Sequence, residues 1–244
     1  MRSYQLLVDQ LRSVVVTGQF DGDNTPSPNN RSGVLEDVML TVYGRANSMN
    51  VQKVMWLAAE LDLSVRRVDI GGAYGGNDQP EYLLMNPNGL IPTLTDDDFT
   101  LWESQAILRY LASRYDSGSW WPDDVQIQGL ASQWLDWYLT SIHAPATVIF
   151  ISLIRQTPEQ RDEDQITRSV RTVTKHWILL DRYLATTPFV AGDAPTLGDI
   201  PLAIAAYRWF TLDIERPQLD YLAAWYARLS ARSAFQEQVM LPLS

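Results

Sequence analysis

The sequence predicts an α+β protein in which a mixed half of order βαβ(α)ββα precedes an all-helical half. Short β-branched runs alternate with helically spaced apolar residues as far as Tyr115, after which strand signals nearly vanish. A break rich in Gly, Pro and Asp separates the two regimes at residues 117–124. A length of 244 residues is enough for two small domains with cores of their own. The expected division is a flexible extension at 1–38, a first domain at 39–118 and a helical domain at 123–244.

Within the extension, a short amphipathic piece at 4–16 leads into a run of Gly, Asp, Asn, Pro and Ser at 18–32, which reads as tail plus linker. Its start lacks the basic flank, unbroken apolar stretch and small-residue cleavage pattern of a secretory signal, so the protein is expected in the cytoplasm. Residues 39–43 suit a short buried strand, and Val51, Val54, Met55, Ala58 and Leu61 mark a helix from Asn50. A second strand at 65–70, a glycine-rich loop at 71–78 and a helical turn at 81–85 follow. Residues 93–95 and 99–101 flank Asp96-Asp97-Asp98 as a hairpin, and a helix runs from Ser104 to about Tyr115.

Leu130, Trp134 and Trp137 open the helical half, in a helix that Pro145 is expected to kink or interrupt. Thr157-Pro158-Glu159-Gln160 has the residues of a helix start, and Ile166, Val170, Val173, Trp177 and Leu184 continue one face from it. Thr196-Leu197-Gly198-Asp199 is a second capping box, before Ile200, Ala203, Ile204 and Tyr207 in a helix expected to be central. The nine tryptophans read as core or interface anchors.

Composition narrows the chemistry. With 19 basic against 29 acidic residues the formal charge is −10, which opposes nonspecific binding to nucleic acid and anionic membranes and favours a small ligand. No cysteine is present, so disulfides, Cys-ligated metals and a protein thiol nucleophile are excluded, and any sulfur must come from a ligand. Only His143 and His176 are available, which argues against a multi-His metal site or a Ser-His-Asp machine. No apolar run approaches the roughly 20 residues that span a bilayer.

The stretch 86–94, NPNGLIPTL, couples a constrained backbone to the acidic turn Leu101-Trp102-Glu103-Ser104. Pro92 suits a tight turn, open to the cis form, that leaves the Ile91 amide and carbonyl free for a ligand's main chain. Glu103 and Ser104 place a carboxylate, a hydroxyl and free helix-start N–H groups beside that turn, a fit for an amino acid's charged ends.

These residues carry a resemblance to the glutathione S-transferase family, covering about residues 39–244. NPNGLIPTL resembles the loop before the family's cis-proline, LWESQAILRYL its Glu-Ser turn, and TLGDIPLA the capping box of its helical domain. The resemblance implies a thioredoxin-like first domain, an all-helical second domain and a homodimer. Glutathione would be the co-substrate, with no tightly bound cofactor or metal, in the detoxification of a small hydrophobic electrophile. Ile91 would pair through its backbone with the cysteinyl part of glutathione, next to the cis-proline Pro92. Glu103 would face the γ-glutamyl ammonium, while Ser104 and helix N–H groups take its carboxylate. Many relatives carry a lysine or arginine where this chain has Leu90, so another group, Lys53 or Arg45, would meet the glycine carboxylate.

In the loop from the first strand into the first helix, Ser48 matches a hydroxyl and Asn50 an amide used by bacterial members. Either can donate to sulfur, which is the chemistry required: a thiolate attacks, and a free thiol is only slightly ionised at neutral pH. Ser48 and Asn50 are equally suited to cap the helix. The electrophile is expected between the domains, among Tyr138, His143, Phe150, Tyr207, Trp209 and Phe210. Besides conjugation, the same site admits glutathione-dependent disulfide or peroxide reduction without a protein cysteine, or ligand binding without turnover.

Overall fold

The structure, a computed structural model, describes residues 40–244; the amphipathic piece, the linker and Met39 lie outside them. Leu40–Tyr43 (β1), Val65–Val68 (β2), Thr93–Asp96 (β3) and Phe99–Trp102 (β4) form a four-stranded mixed sheet of order β2-β1-β3-β4. β1 runs parallel to β2 and antiparallel to β3, and β3 turns antiparallel into β4 through Asp97, which accepts a φ of 51°. Met49–Glu60 (α1) lies between β1 and β2, Pro80–Met85 (α2) between β2 and β3, and Ser104–Tyr115 (α3) after β4. This is the expected βαβ(α)ββα order. The second strand ends two residues early, where the chain peels off toward the glycine-rich loop.

Helices make up the rest: Val125–Arg155 (α4), Glu163–Leu184 (α5), Asp199–Thr211 (α6), Asp220–Ser230 (α7) and Ser233–Gln238 (α8). Pro145 does not break α4. The helix widens into π turns at Tyr138–His143 and Ile151–Arg155, and the first, just ahead of the proline, carries the chain past the missing N–H without a stop. The result is 31 residues long, and by length and composition alone it could cross a membrane, contrary to the sequence reading; only 28% of its most apolar window is covered within the protein.

The Thr157 cap also acts differently from expectation. It closes a single 3₁₀ turn, Pro158–Gln160, and α5 starts afresh at Glu163, with the Asp162 carboxylate accepting from Gln165 N at 2.8 Å. α6 is central as predicted: Ile200, Leu202, Ala203, Ile204 and Ala206 are all fully buried, so it is covered on every side. One continuous apolar core joins Leu40, Val54 and Leu108 of the sheet half to Trp177, Ile204 and Trp225 of the helical half. Eight of the nine tryptophans belong to this core or pack against it.

Candidate functional site

The NPNGLIPTL loop is built to expose one peptide unit. The Ile91-Pro92 bond is cis. Behind it the Tyr82 hydroxyl donates to Leu90 O at 2.6 Å, and Asn86 Nδ2 donates to the same carbonyl at 2.8 Å. Both side chains also contact Thr93 Oγ1, at 2.8 and 3.2 Å, so the loop is pinned on either side of the cis bond. Gly89 sits at φ 61°, where a side chain would be strained, and its carbonyl accepts from Asn77 at 2.8 Å. Among the described residues neither the N–H nor the C=O of Ile91 has a partner. Gly44, at the end of β1, lets this loop approach: a Cβ there would meet Val51 Cγ2 at 2.4 Å and Ile91 Cβ at 3.3 Å.

Glu103 precedes α3 with φ 72° and ψ 110°, a backbone state that a non-glycine residue adopts only where its surroundings impose it. Glu103 is exposed, and with Ser104 at the start of α3 it borders the same cleft as the Pro92 loop. Leu90, Ile91, Pro92, Glu103, Ser104 and Asn50 line one small cleft there. The structure thus brings together the residues expected to clamp a peptide.

Lys53 lies beneath that cleft, not beside its open end. Its amine is fully buried, 2.9 Å from Asn50 Oδ1 and 3.4 Å from Ser104 Oγ, and sits 4.7 Å over the Tyr138 ring. Burial, with Arg208 adding repulsion against the attraction of Glu103, pulls its pKa down to about 7. A sealed amine packed against the start of α3 is poorly placed for a carboxylate at the exposed Leu90 end.

Asn50 is shared with a second cleft of about 220 Å³, whose lining also includes Ser48, Arg45, His143, Phe150 and Arg208. Ser48 holds the N-cap position of α1, with φ −79° and ψ 121°, yet its side chain makes no capping hydrogen bond. Its hydroxyl is therefore uncommitted. Asn50 Oδ1 is taken by Lys53 and, at 3.5 Å, by Ser104 Oγ, which leaves the amide N–H groups of Asn50 free to donate.

The residues expected around the electrophile do not all reach one space. His143 and Phe150 line the second cleft. Tyr138 does not: it is fully buried behind His143, with its hydroxyl 2.8 Å from His143 Nδ1 and 3.1 Å from Met49 Sδ. Burial pushes its phenol pKa upward, and burial followed by Lys53 and Arg208 lowers that of His143, which favours the neutral ring. Tyr207 is turned away, donating to Leu241 O at 2.7 Å, and Phe210 packs on Tyr226. Trp209 lines a small hollow of about 20 Å³ that shares Met49, Thr147 and Arg208 with the cleft. These residues satisfy helical spacing, but α6 is covered on every side, and most of its apolar side chains must point into core.

Sequence reasoning missed Arg155 and Arg208. Arg208 rests 3.9 Å from the Phe150 ring centre and Arg155 5.1 Å from the same ring, both at the second cleft. A signal for Arg208 was present, since a charge placed between Tyr207 and Trp209 in a helix otherwise apolar all round has to serve some purpose. Among the described residues no group of three or more His, Asp or Glu could hold a metal ion.

Comparison with known proteins places this arrangement. A model of the glutathione S-transferase N-terminal domain matches residues 38–113, and one of the C-terminal domain matches residues 141–233. Glutathione S-transferase GstB of Escherichia coli K12 is 37% identical over 208 residues, an alignment covering 84% of this chain and 100% of that protein. Human glutathione S-transferase theta-2B is 31% identical over 182 residues, covering 70% of this chain and 71% of that one. The theta class glutathione S-transferase of the citrus canker pathogen Xanthomonas axonopodis pv. citri, solved with glutathione bound, superposes with a TM-score of 0.81 at 39% identity. That match covers 84% of this chain and 99% of the solved one. With both domain models matched in order, and a full-length relative well above 30% identity, the chain belongs to the glutathione S-transferase family.

Proposed function

We propose that this transferase binds glutathione along the Pro92 loop and the start of α3, and holds its sulfur as a thiolate at Asn50 and Ser48. The observation that carries this reading is the position of Asn50, the residue common to both clefts. A sulfur bound there faces the peptide clamp on one side and the space for an electrophile on the other. The free main chain of Ile91 takes the cysteinyl backbone, Glu103 the γ-glutamyl ammonium, and Ser104 with the N–H groups of α3 the carboxylate. A related transferase, that of X. axonopodis, binds glutathione in a fold that superposes on this one.

The chemistry is selective stabilisation of an anion. Uncommitted donors from Asn50 and Ser48, at the positive end of α1, favour thiolate over thiol. Lowering a thiol pKa by about two units takes roughly 2.7 kcal/mol, within the range of one or two charge-assisted hydrogen bonds. The thiolate lone pair then forms a bond to the electrophilic carbon as the leaving group departs with its own pair. No general base is needed once the sulfur is ionised.

Asn50→Ala and Ser48→Ala are expected to lower kcat about 10- to 100-fold with little change in glutathione affinity, whereas Glu103→Ala weakens affinity. Ultraviolet titration of the bound thiolate checks the cause. An unchanged sulfur pKa on binding, or equal loss of affinity in all three variants, would overturn the assignment. The active unit is read as a homodimer, supported by the apolar surface left open on β4 and α4. The setting is the cytoplasm, where the glutathione pool resides.

A further inference from the structure

We propose that the second cleft selects an electrophile bearing a negative charge, a carboxylate or sulfonate, held by Arg45 and Arg208 with Arg155 at the rim. The proposal rests on the preceding reading of the cleft as the electrophile site.

Three guanidiniums line this cleft, and among the described residues neither that of Arg45 nor that of Arg208 forms an ion pair with a carboxylate. Neither the guanidinium of Arg45 nor that of Arg208 donates a hydrogen bond to any described residue, although each carries five donors. Arg155 donates one, to Ser244 O at 3.1 Å. Arg208 is half-buried and rests over the face of Phe150. Arg45 lies along the glycine-rich loop, where a Cβ on Gly72 would come within 2.8 Å of its Nε.

Unpaired, partly desolvated cations that repel one another are costly to hold together, and an anion among them removes that cost. The side chains around Arg45 and Arg208 do not supply one: His143, Thr147, Asn47 and Ser48 carry no negative charge, and the Ser244 oxygen is already held by Arg155 and Asn47. A volume of about 220 Å³ admits only a small molecule. The arrangement also answers a problem of the reaction, because a thiolate approaching an anionic electrophile meets like-charge repulsion that nearby guanidiniums offset.

Iodoacetate and iodoacetamide isolate this effect, since they share a leaving group and nearly a shape but differ by one charge. In both, sulfur bonds to the methylene carbon as the carbon–iodine bond breaks and its electron pair leaves as iodide. The chain has no cysteine to be alkylated, so loss of thiol reports glutathione alone, and subtracting the enzyme-free rate leaves the enzyme's reaction. Each kcat/KM is divided by the rate constant of the uncatalysed reaction of glutathione with the same reagent at the same pH.

The expected enhancement is about 10-fold or more greater for iodoacetate, the size of one charge-assisted interaction. Arg208→Gln, and independently Arg45→Gln, should bring the ratio of the two enhancements down about 10-fold. Enhancement of iodoacetamide equal to or above that of iodoacetate would overturn the anion site while leaving thiolate activation standing. A ratio unchanged in both variants, with glutathione KM raised equally for the two reagents, would assign the arginines to glutathione's own carboxylate. Acceleration of neither reagent would overturn both readings.

Discussion

Lys53 brings an amine into a space where water does not reach, between Asn50, Ser104 and the ring of Tyr138. Its pKa of about 7 in the folded protein, against an ordinary 10.5, ties stability to pH. Between those values the unfolded chain binds a proton that the folded chain has released, so unfolding free energy rises with pH across the window. This stabilisation is complete above the unfolded value and is lost as pH falls through the folded one. The slope is at most about 1.4 kcal/mol per pH unit. Urea unfolding at pH 7 and pH 9 should show the rise in the native protein and a flatter response in Lys53→Met; identical slopes would refute the assignment. Such a residue is hard to read in sequence, where Lys53 looks like any helical lysine. Glu103, Ser104, Ile91 and Pro92 were legible because their chemistry is local, set by a proline turn and a helix start a few residues apart.

The helices differ in how far neighbouring residues dictate them. α6 begins as its sequence indicates, because Asp199 collects its partners from nearby chain: Thr196 N at 2.8 Å and Val190 N at 3.1 Å. One donor comes from afar, Trp225 Nε1 at 2.8 Å, and ties α7 to the same carboxylate. Asp199→Ala strands three buried N–H donors and should cost about 3 kcal/mol or more of unfolding free energy in denaturant titration. A loss below about 1 kcal/mol would mean that water replaces the carboxylate. α4 and α5 depart from local expectation for a different reason. Pro145 stays inside a helix whose π turns accommodate it, and the Thr157 cap is spent on a single turn, with the helix proper left to Asp162. A cap reports that a helical turn can begin, not how many turns packing will sustain.

Among the described residues the two halves are joined by packing and by two ion pairs, Arg109 with Asp136 at 3.4 Å and Arg232 with Glu60. Arg232, at the start of α8, donates to both carboxylate oxygens of Glu60 at the end of α1, at 2.7 and 2.6 Å, and lies over the Trp120 ring. Away from that joint the protein leaves apolar side chains uncovered: Phe99 on the edge strand is 45% exposed, and Leu130 and Leu139 on α4 are 39% and 44% exposed. An edge strand and an apolar helix left open together fit a homodimer interface better than solvent. Sedimentation should therefore give a particle of about twice 27.7 kDa, and Phe99→Glu combined with Leu130→Glu should shift it to the monomer. A monomeric native protein at micromolar concentration would remove the support for the dimer.

Spacing along the chain was enough to establish a strand-rich half before a helical one, the order of elements, the cleft that joins Pro92 to Glu103, and the absence of any protein thiol. Each of these depends on neighbours in sequence or on composition. Which residues face the second cleft is a different matter, because helical periodicity says that a face is apolar without saying what it faces. Tyr138, Tyr207 and Trp209 turned into core or a small adjoining hollow, while Arg208 and Arg155 arrived at the cleft from helices whose registers are fixed by packing against one another. The placement of Lys53 beneath Asn50 and Ser104 was settled in the same way, by the docking of α1 on α3 across 51 residues of chain.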